Sequence, residues 1–471
     1  MTTAPEAGTS ATGRAAVLTA TTLGLTLSMF NSTIVNVMIP AVGSSFGSSS
    51  SQLQWISSLY TLCYAALLLP GGAIGSRVGR RTAFLSGIAL FAAGCLLCAV
   101  APAYPFLLAG RVVQAVGAAV MLPQTLTILV HEYAQPAARA RAVGIWAGGA
   151  SLGLAAGPVL GGIFVAVTSW RVGFGVSMVL ALLTLVLGWS AVPHARHGRP
   201  AQPPPIDAVG AALSVVTLTA LVFALIESSE RGWGSGLILG ALALFAVALV
   251  AFLASQWHRG RAGRSPLMPL RLWRSPRFVA ANLTGLVYFI AFFAVLYFFS
   301  LDLQDTRGYE PLVAGLAFLP LTLLVAALGP VAGRLSGSYG TAPVMVAGLV
   351  VAALGCVALA LLPAHAPLLD LEWRLAVVGV GSGLVSSPTS TAAVSSVPAA
   401  DSGSASAVYN TFRQLGSTLG VAAIGVVVGS TDAAGFARGL DRGMWVVAGL
   451  LVLTALLASA LTLRGDVRTT P

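Results

Sequence analysis

Fourteen apolar runs, separated by short polar breaks, make up almost all of this chain. Crossing about 30 Å of hydrocarbon takes roughly 20 helical residues, and each run is of that order. The first six are Ala15–Pro40, Ile56–Ile74, Ala83–Val100, Phe106–Leu129, Ala142–Val167 and Val172–Val192. A polar, proline-rich break from His194 to Asp207 follows, with QPPP at Gln202–Pro205. Two runs come next, Ala208–Ile226 and Ser235–Ala254, and then an arginine-rich segment from His258 to Arg277. The last six are Phe278–Leu301, Pro311–Ala332, Ala342–Leu362, Leu375–Val397, Ala405–Val428 and Met444–Leu463. The pattern predicts an all-α polytopic membrane protein with 14 transmembrane helices arranged as 6+2+6. Its parts are an N-terminal six-helix bundle (1–192), two inserted helices with their linkers (193–277) and a C-terminal six-helix bundle (278–471). The twelfth run is the weakest of the set, being rich in Gly, Ser and Thr.

Composition agrees with the pattern. Of the 471 residues 57% are hydrophobic and only 8% are charged, against about 25% charged in a soluble protein. The mean hydropathy is +0.89. Arg14 precedes a long apolar run with no small-residue cleavage site after a short core, so the first run is expected to stay as a span. The four cysteines all fall inside apolar runs, which argues against a disulfide framework.

The net charge of +11 could suggest nucleic acid, but its placement argues for topology instead. All 25 basic residues counted in that balance are arginine. Seventeen lie in breaks on the side of the termini and six on the other side; nine of the 14 acids take that other side. By the positive-inside rule both termini are expected in the cytoplasm, with the protein multi-pass in the plasma membrane. Its expected partners are the lipid bilayer and a small molecule, with no nucleic acid, and the expected state is a monomer. No metal or cofactor is expected, and no enzyme. The five histidines sit in loops, a P-loop needs a lysine that the chain lacks, and HExxH is absent.

The fifth run organises the rest. Gly149, Gly153, Gly157 and Gly161 recur every fourth residue, which stacks them on one side of a helix. Such a side lets another backbone come close, as small-residue ridges do in lipid. Pro158 lies in the same run, where a bend and a freed carbonyl seeking another partner are expected. A weak internal repeat supports the six-plus-six grouping. Gly72-AIGSRV-Gly79 closes the second run and Gly333-RLSGSY-Gly340 closes the tenth. Bundles related by such a repeat are a transporter design, with the substrate site near midplane between them.

Several motifs, in order along the chain, resemble one known family. They are Asn31-STIVNVMI-Pro40 in the first run, Gly72-AIGSRVGR-Arg81 after the second and Gly110-RVVQAVGA-Ala119 in the fourth. The fifth run ends Gly157-PVLGG, which adds Gly162 to the ridge, and the later pieces include Ala314-GLAFLP and Asn410-TFRQLGSTLG. Together they resemble the fourteen-helix drug:proton antiporter branch of the major facilitator superfamily over nearly the whole chain. The resemblance implies export of drugs, antibiotics or secondary metabolites by alternating access, in exchange for protons. It implies that the glycine-rich fifth span is a sliding contact between the two bundles. It also implies that the loop motif (Gly72, Ser76, Arg77, Gly79, Arg80, Arg81) latches the gate, its arginines reaching carbonyls and charge partners on the other bundle.

Two residues depart from the family pattern. The first-span acid linked there to proton coupling is Asn31, which cannot titrate, and the loop motif's acid is Ser76. A proton-independent exchanger or importer on the same fold therefore stands as the alternative reading. Only Arg111 and Arg413 lie well inside apolar runs, where an arginine normally faces a cavity or a partner. At about 1.5 Å per residue, Arg111 falls roughly 8–9 Å from the outer end of its span and Asn31 roughly 22–24 Å from the inner end of its own. In a core of about 30 Å these are nearly one depth. Asn31, Arg111 and Gln114 are thus expected around one cavity, which suits a neutral or anionic substrate better than a cation. Asp302, close to Gln304, is the first candidate for a displaced proton carrier and Glu227 the second. Asn410, Arg413 and Gln414 are candidate anchors in the second half, and Trp55 and Tyr60 are expected as interface anchors.

Overall fold

The computed structural model describes residues 11–133, 135–193, 207–264, 266–363, 365–398, 401–429 and 433–467. The proline-rich break and both chain ends lie outside these residues, as does the side chain of Ser76. The first half contributes α1 (Ala11–Phe46), α2 (Ser50–Val78), α3 (Arg80–Ala99), α4 (Tyr104–Glu132), α5 (Pro136–Val167) and α6 (Trp170–Ala191). The inserted pair is α7 (Ala208–Arg231) and α8 (Gly236–Arg261). The second half contributes α9 (Pro276–Leu301), α10 (Pro311–Ala317), α11 (Leu319–Tyr339), α12 (Thr341–Ala360), α13 (Leu368–Ser395), α14 (Ser402–Val428) and α15 (Ala433–Val467). No strand occurs among the described residues.

Twelve segments are long and apolar enough to cross a membrane, α10 and α11 together forming one of them. The two other long helices are α2 and α13. In α13 the first two turns carry Asp370, Glu372 and Arg374, and Gly and Ser follow. The run expected over 311–332 is broken at Phe318 because Pro320 removes an amide donor and its ring crowds the preceding turn. Helix starts are capped where the apolar pattern ends. Ser49 and Gln52 form a capping box on α2, and Asp207 accepts from the Gly210 amide at 2.8 Å on α7.

The two halves repeat one packing scheme. In the first, α3 lies on α4, α1 on α5, α2 on α4, and α3 on α6; in the second, α12 lies on α13, α9 on α14, α11 on α13, and α12 on α15. The loop echo is part of this repeat. Gly79 (φ 95°) joins α2 to α3 and Gly340 (φ 85°) joins α11 to α12, each closing one helix and opening the next. Positive φ is the reason for glycine at both corners.

Contacts between the halves gather at the end that holds the α1–α2 turn, called distal here because the described chain begins and finishes at the other end. There α2 lies against α14, with Thr61 Oγ1 and Thr418 Oγ1 2.8 Å apart. Two turns further out, Gln54 packs on Gly425, where a Cβ would come within 2.7 Å of the Gln54 amide. Gln304 Nε2 on the π turn after α9 donates to the Val37 carbonyl of α1 at 3.1 Å. The end of α5 meets α10: a Cβ on Gly315 would stand 2.5 Å from the Pro158 carbonyl oxygen, and one on Gly162 would collide with the Pro311 carbonyl. Toward the terminus end Gly144 and Gly148 of α5, and Gly329 and Gly337 of α11, have nothing within 4 Å of where a Cβ would be.

The glycine ridge of α5 has a different partner from the one the family resemblance implied. Gly149, Gly153, Gly157 and Gly161 face α1 of the same half, against Thr22, Thr26, Thr33 and Ile34. Only Gly162, one residue round the helix, faces the other half. The four-residue period specifies that some backbone approaches, and here it is α1. Thr26 Oγ1 donates to the Gly149 carbonyl at 2.9 Å and Thr33 Oγ1 to the Leu154 carbonyl at 3.3 Å. Leu154 is the residue whose carbonyl Pro158 leaves without its helical amide, so the expected substitute partner is Thr33.

Candidate functional site

Glycines at matched levels bring α3 and α4 together and aim α4's polar residues inward. A Cβ on Gly94 would lie 2.5 Å from the Gln114 amide nitrogen, and one on Gly110 would lie 2.9 Å from the Cys98 amide. With α3 covering that side, Arg111 and Gln114 turn toward α1 and α2. Arg111 Nη1 donates to Asn31 Oδ1 at 2.6 Å and to Gln114 Oε1 at 3.0 Å, and its Nε donates to the Ile56 carbonyl at 3.1 Å. Its guanidinium lies 4.5 Å over the Tyr60 ring, whose hydroxyl pairs with Ser28 Oγ at 2.8 Å. Gln114 Nε2 completes the group on Cys95 Sγ at 3.0 Å.

The structure thus brings Asn31, Arg111 and Gln114 into direct contact. They are packed rather than open, at 0%, 1% and 0% exposure. All the acceptors on Arg111 are neutral, so the desolvated cation is held by dipoles and an aromatic face. Tyr60 is not an interface anchor: it is fully buried and forms one wall of this group. Its spacing of four from Tyr64 was the available signal, since i and i+4 share a helix face.

In the second half Arg413 stands in an aromatic collar. Its guanidinium is 4.9 Å over Phe289 of α9. It hydrogen-bonds the side chain of Tyr409 on α14, and Tyr64 of α2 and Tyr288 of α9, both buried, lie within electrostatic range of it. Gly285 makes room for Tyr409, since a Cβ there would lie 2.7 Å from that ring. Unlike Arg111, Arg413 is only half-buried, and its buried Nε has no hydrogen-bond partner. Asn410 Nδ2 donates within α14 to the Ser406 carbonyl at 2.9 Å, and Gln414 Nε2 is buried with no partner.

Asp302 and Gln304 stand apart from the Arg111 group. Asp302 is buried at the distal end in an ion pair with Arg307 Nε at 2.6 Å, and Arg307 Nη1 also donates to the Ala366 carbonyl at 3.2 Å. Gln304 joins the halves, as described. Glu227, on α7, accepts from Trp55 Nε1 at 2.9 Å and from Arg231 at 2.8 Å, so Trp55 is tied to the inserted pair.

The loop motif's arginines make contacts within the first half. Arg81 does reach backbone carbonyls, at Val192 (2.7 Å) and Trp189 (2.6 Å), but both belong to the α6 end of its own half. Arg80 meets the His131 ring at the end of α4, 2.8 Å away. These contacts of Arg80 and Arg81 brace the first half from within. Gly72 packs on Pro123 of α4, and Arg77 is half-buried at the end of α2.

Two similar six-span sets that meet at one end are the frame of a transporter. The family model described as Major Facilitator Superfamily matches residues 21–421. The chain belongs to that superfamily. Among its major facilitator relatives is the methylenomycin A resistance protein of Streptomyces coelicolor, 32% identical over 417 residues, covering 88% of this chain and 86% of that one. Another is the multidrug resistance protein Stp of Mycobacterium tuberculosis, 33% identical over 427 residues, covering 91% and 78%. Among solved structures, a bacterial homologue of the human lysosomal transporter Spinster, inward-facing and unoccupied, shares the fold. Its TM-score is 0.69 at 17% identity, covering 97% of this chain and 99% of that one. Membership makes the chain a multi-pass membrane transporter of small molecules, not an enzyme.

Proposed function

We propose that this major facilitator protein exports small lipophilic compounds (drugs, antibiotics or secondary metabolites) by alternating access, as a proton-driven antiporter. The names of the resistance relatives support the substrate class. The observation that carries the mechanism is the distal closure, where α2 meets α14, Gln304 reaches the Val37 carbonyl and α5 meets α10. In this reading residues 1–192 and 278–471 are the moving bundles, 193–277 is an insertion, and all fourteen long helices cross the membrane. Both termini lie in the cytoplasm, supported by the arginine bias, in the plasma membrane, and the unit is a monomer. The closed distal end is then the outer gate.

Asn31 cannot carry the proton, so the carrier lies elsewhere. Asp302 fits best, being buried and held by a single guanidinium that can release it. Asn31 is also the observation that favours the second reading, exchange without protons. Everted membrane vesicles loaded through this protein decide between them. Drug uptake should fall at least tenfold when the pH gradient is collapsed, and Asp302→Asn should lose the gradient's effect while keeping substrate exchange. Uptake unchanged by collapsing the gradient would overturn proton antiport.

A further inference from the structure

Of the two arginines deep in the bundles, Arg111 is already committed. Its Nε and Nη1 serve three neutral acceptors, its face rests on Tyr60, and it is 1% exposed. Arg413 is committed only in part. It is half-exposed, it hydrogen-bonds the Tyr409 side chain, its Nε has no acceptor, and among the described residues it pairs with no carboxylate. A guanidinium in a membrane interior is costly unless a partner or water-filled space receives it. The buried acids are already paired, Asp302 with Arg307, Glu227 with Arg231 and Asp207 with Arg259.

The position of Arg413 is as telling as its lack of a counter-ion. Thr418, which touches Thr61 across the interface, is five residues further along α14, or about 7.5 Å at helical rise. Arg413 therefore lies just beneath the distal closure, on the terminus side of it. Its collar comes from both halves, with Tyr64 from the first and Tyr288, Phe289 and Tyr409 from the second. The group has one cation without a carboxylate partner, and aromatic rings beside it. The buried Nε2 of Gln414, the next residue along α14, also has no acceptor. Unmet donors call for an acceptor-rich ligand.

We propose that Arg413 docks an anionic group, a carboxylate or acidic phenolate, on the exported molecule, with the molecule's aromatic body held among Tyr64, Tyr288, Phe289 and Tyr409. This rests on the exporter reading and narrows its substrate class. The guanidinium fork suits a two-oxygen anion, and the rings serve both to hold the cation in the empty site and to receive the ligand's flat body. Because the collar is shared between halves, ligand binding also draws α2 toward α14, which couples occupancy to the gate.

The test is calorimetric binding to the purified full-length protein of three probes with one ring system: 2-naphthoate, methyl 2-naphthoate and 2-naphthylmethylammonium. Native protein should bind the acid at least tenfold more tightly than the ester, and the cation most weakly. Arg413→Gln should bring acid and ester within threefold of each other with ester affinity unchanged, while Arg413→Lys keeps a preference for the acid. Equal binding of acid and ester by native protein, tighter binding of the cation, or a preference that survives Arg413→Gln would each overturn the proposal. Failure of the exporter reading looks different. Gradient-driven export of the ester with no preference for the acid rejects only the anion site. A strong acid preference without export of any probe rejects only the exporter.

Discussion

Asn31 is a neutral acceptor 2.6 Å from a buried guanidinium, where the family resemblance implies an acid. An aspartate there would make a charged pair and add an ionisable group at the centre of the first half, with its acidity strengthened by Arg111. Asn31→Asp is expected to gain an ionisation in the pH profile of initial transport rate that the native protein lacks. A profile identical to native would contradict the idea that residue 31 sets the coupling. The level of Asn31 against Arg111 was legible from sequence because rise per residue converts position into depth. The collar round Arg413 was not legible. Tyr64, Tyr288 and Tyr409 lie in apolar runs where an aromatic residue packs in any direction, and nothing local says that three of them converge. Trp55 and Tyr60 carried the signature of interface residues, yet one is held by Glu227 and the other by Arg111.

Among the elements, α5 shows best what a pattern does and does not specify. Its glycine period told of a close backbone but not whose, and that backbone proved to be α1 of the same half. The consequence is a graded set of substitutions. Gly153→Ala would drive a Cβ into the Thr26 carbonyl and within about 3.0 Å of the Phe30 amide nitrogen, and overpacking of this kind costs about 1–3 kcal/mol. Gly148→Ala meets open space and should be neutral or stabilising by up to about 1 kcal/mol through helix propensity. Thermal unfolding in detergent reads both. Gly162→Ala belongs to a third kind, because its neighbour is α10 of the other half. It should leave the melting temperature near native while loosening the distal contact, seen as faster labelling of a distal-end cysteine by a membrane-impermeant maleimide. Equal destabilisation by all three would refute the assignment of partners.

At the scale of the molecule, the repeat in helix packing ties the two halves far more strongly than their sequences do. Only the corner glycines Gly79 and Gly340 carried it openly, because a positive φ restricts residue choice whereas an apolar interface accepts many side chains. The inserted pair turns out to span both halves. Leu62 of α2, Val222 and Ile226 of α7, and Ala422 of α14 form one buried cluster. At the distal end α7 is fastened to the first half through Glu227 on Trp55 and Glu230 on the Ser51 amide (3.3 Å). The segment after α8 is fastened to the second half, with Arg271 on Asp401 and Trp273 stacked near Phe412 and Phe278. These polar and aromatic ties sit at helix ends, where charged and aromatic residues read as ordinary surface.

The claim on which the whole account turns is that export requires the α2–α14 contact to part. Cysteines placed at Thr61 and Thr418, whose hydroxyls are 2.8 Å apart, in a Cys63→Ser background, put a disulfide across that contact. Transport in everted vesicles is then measured before oxidation, after oxidation, and after reduction. Export should fall to background when the bridge forms and return when it is reduced. Full-rate export by the bridged protein would contradict the account.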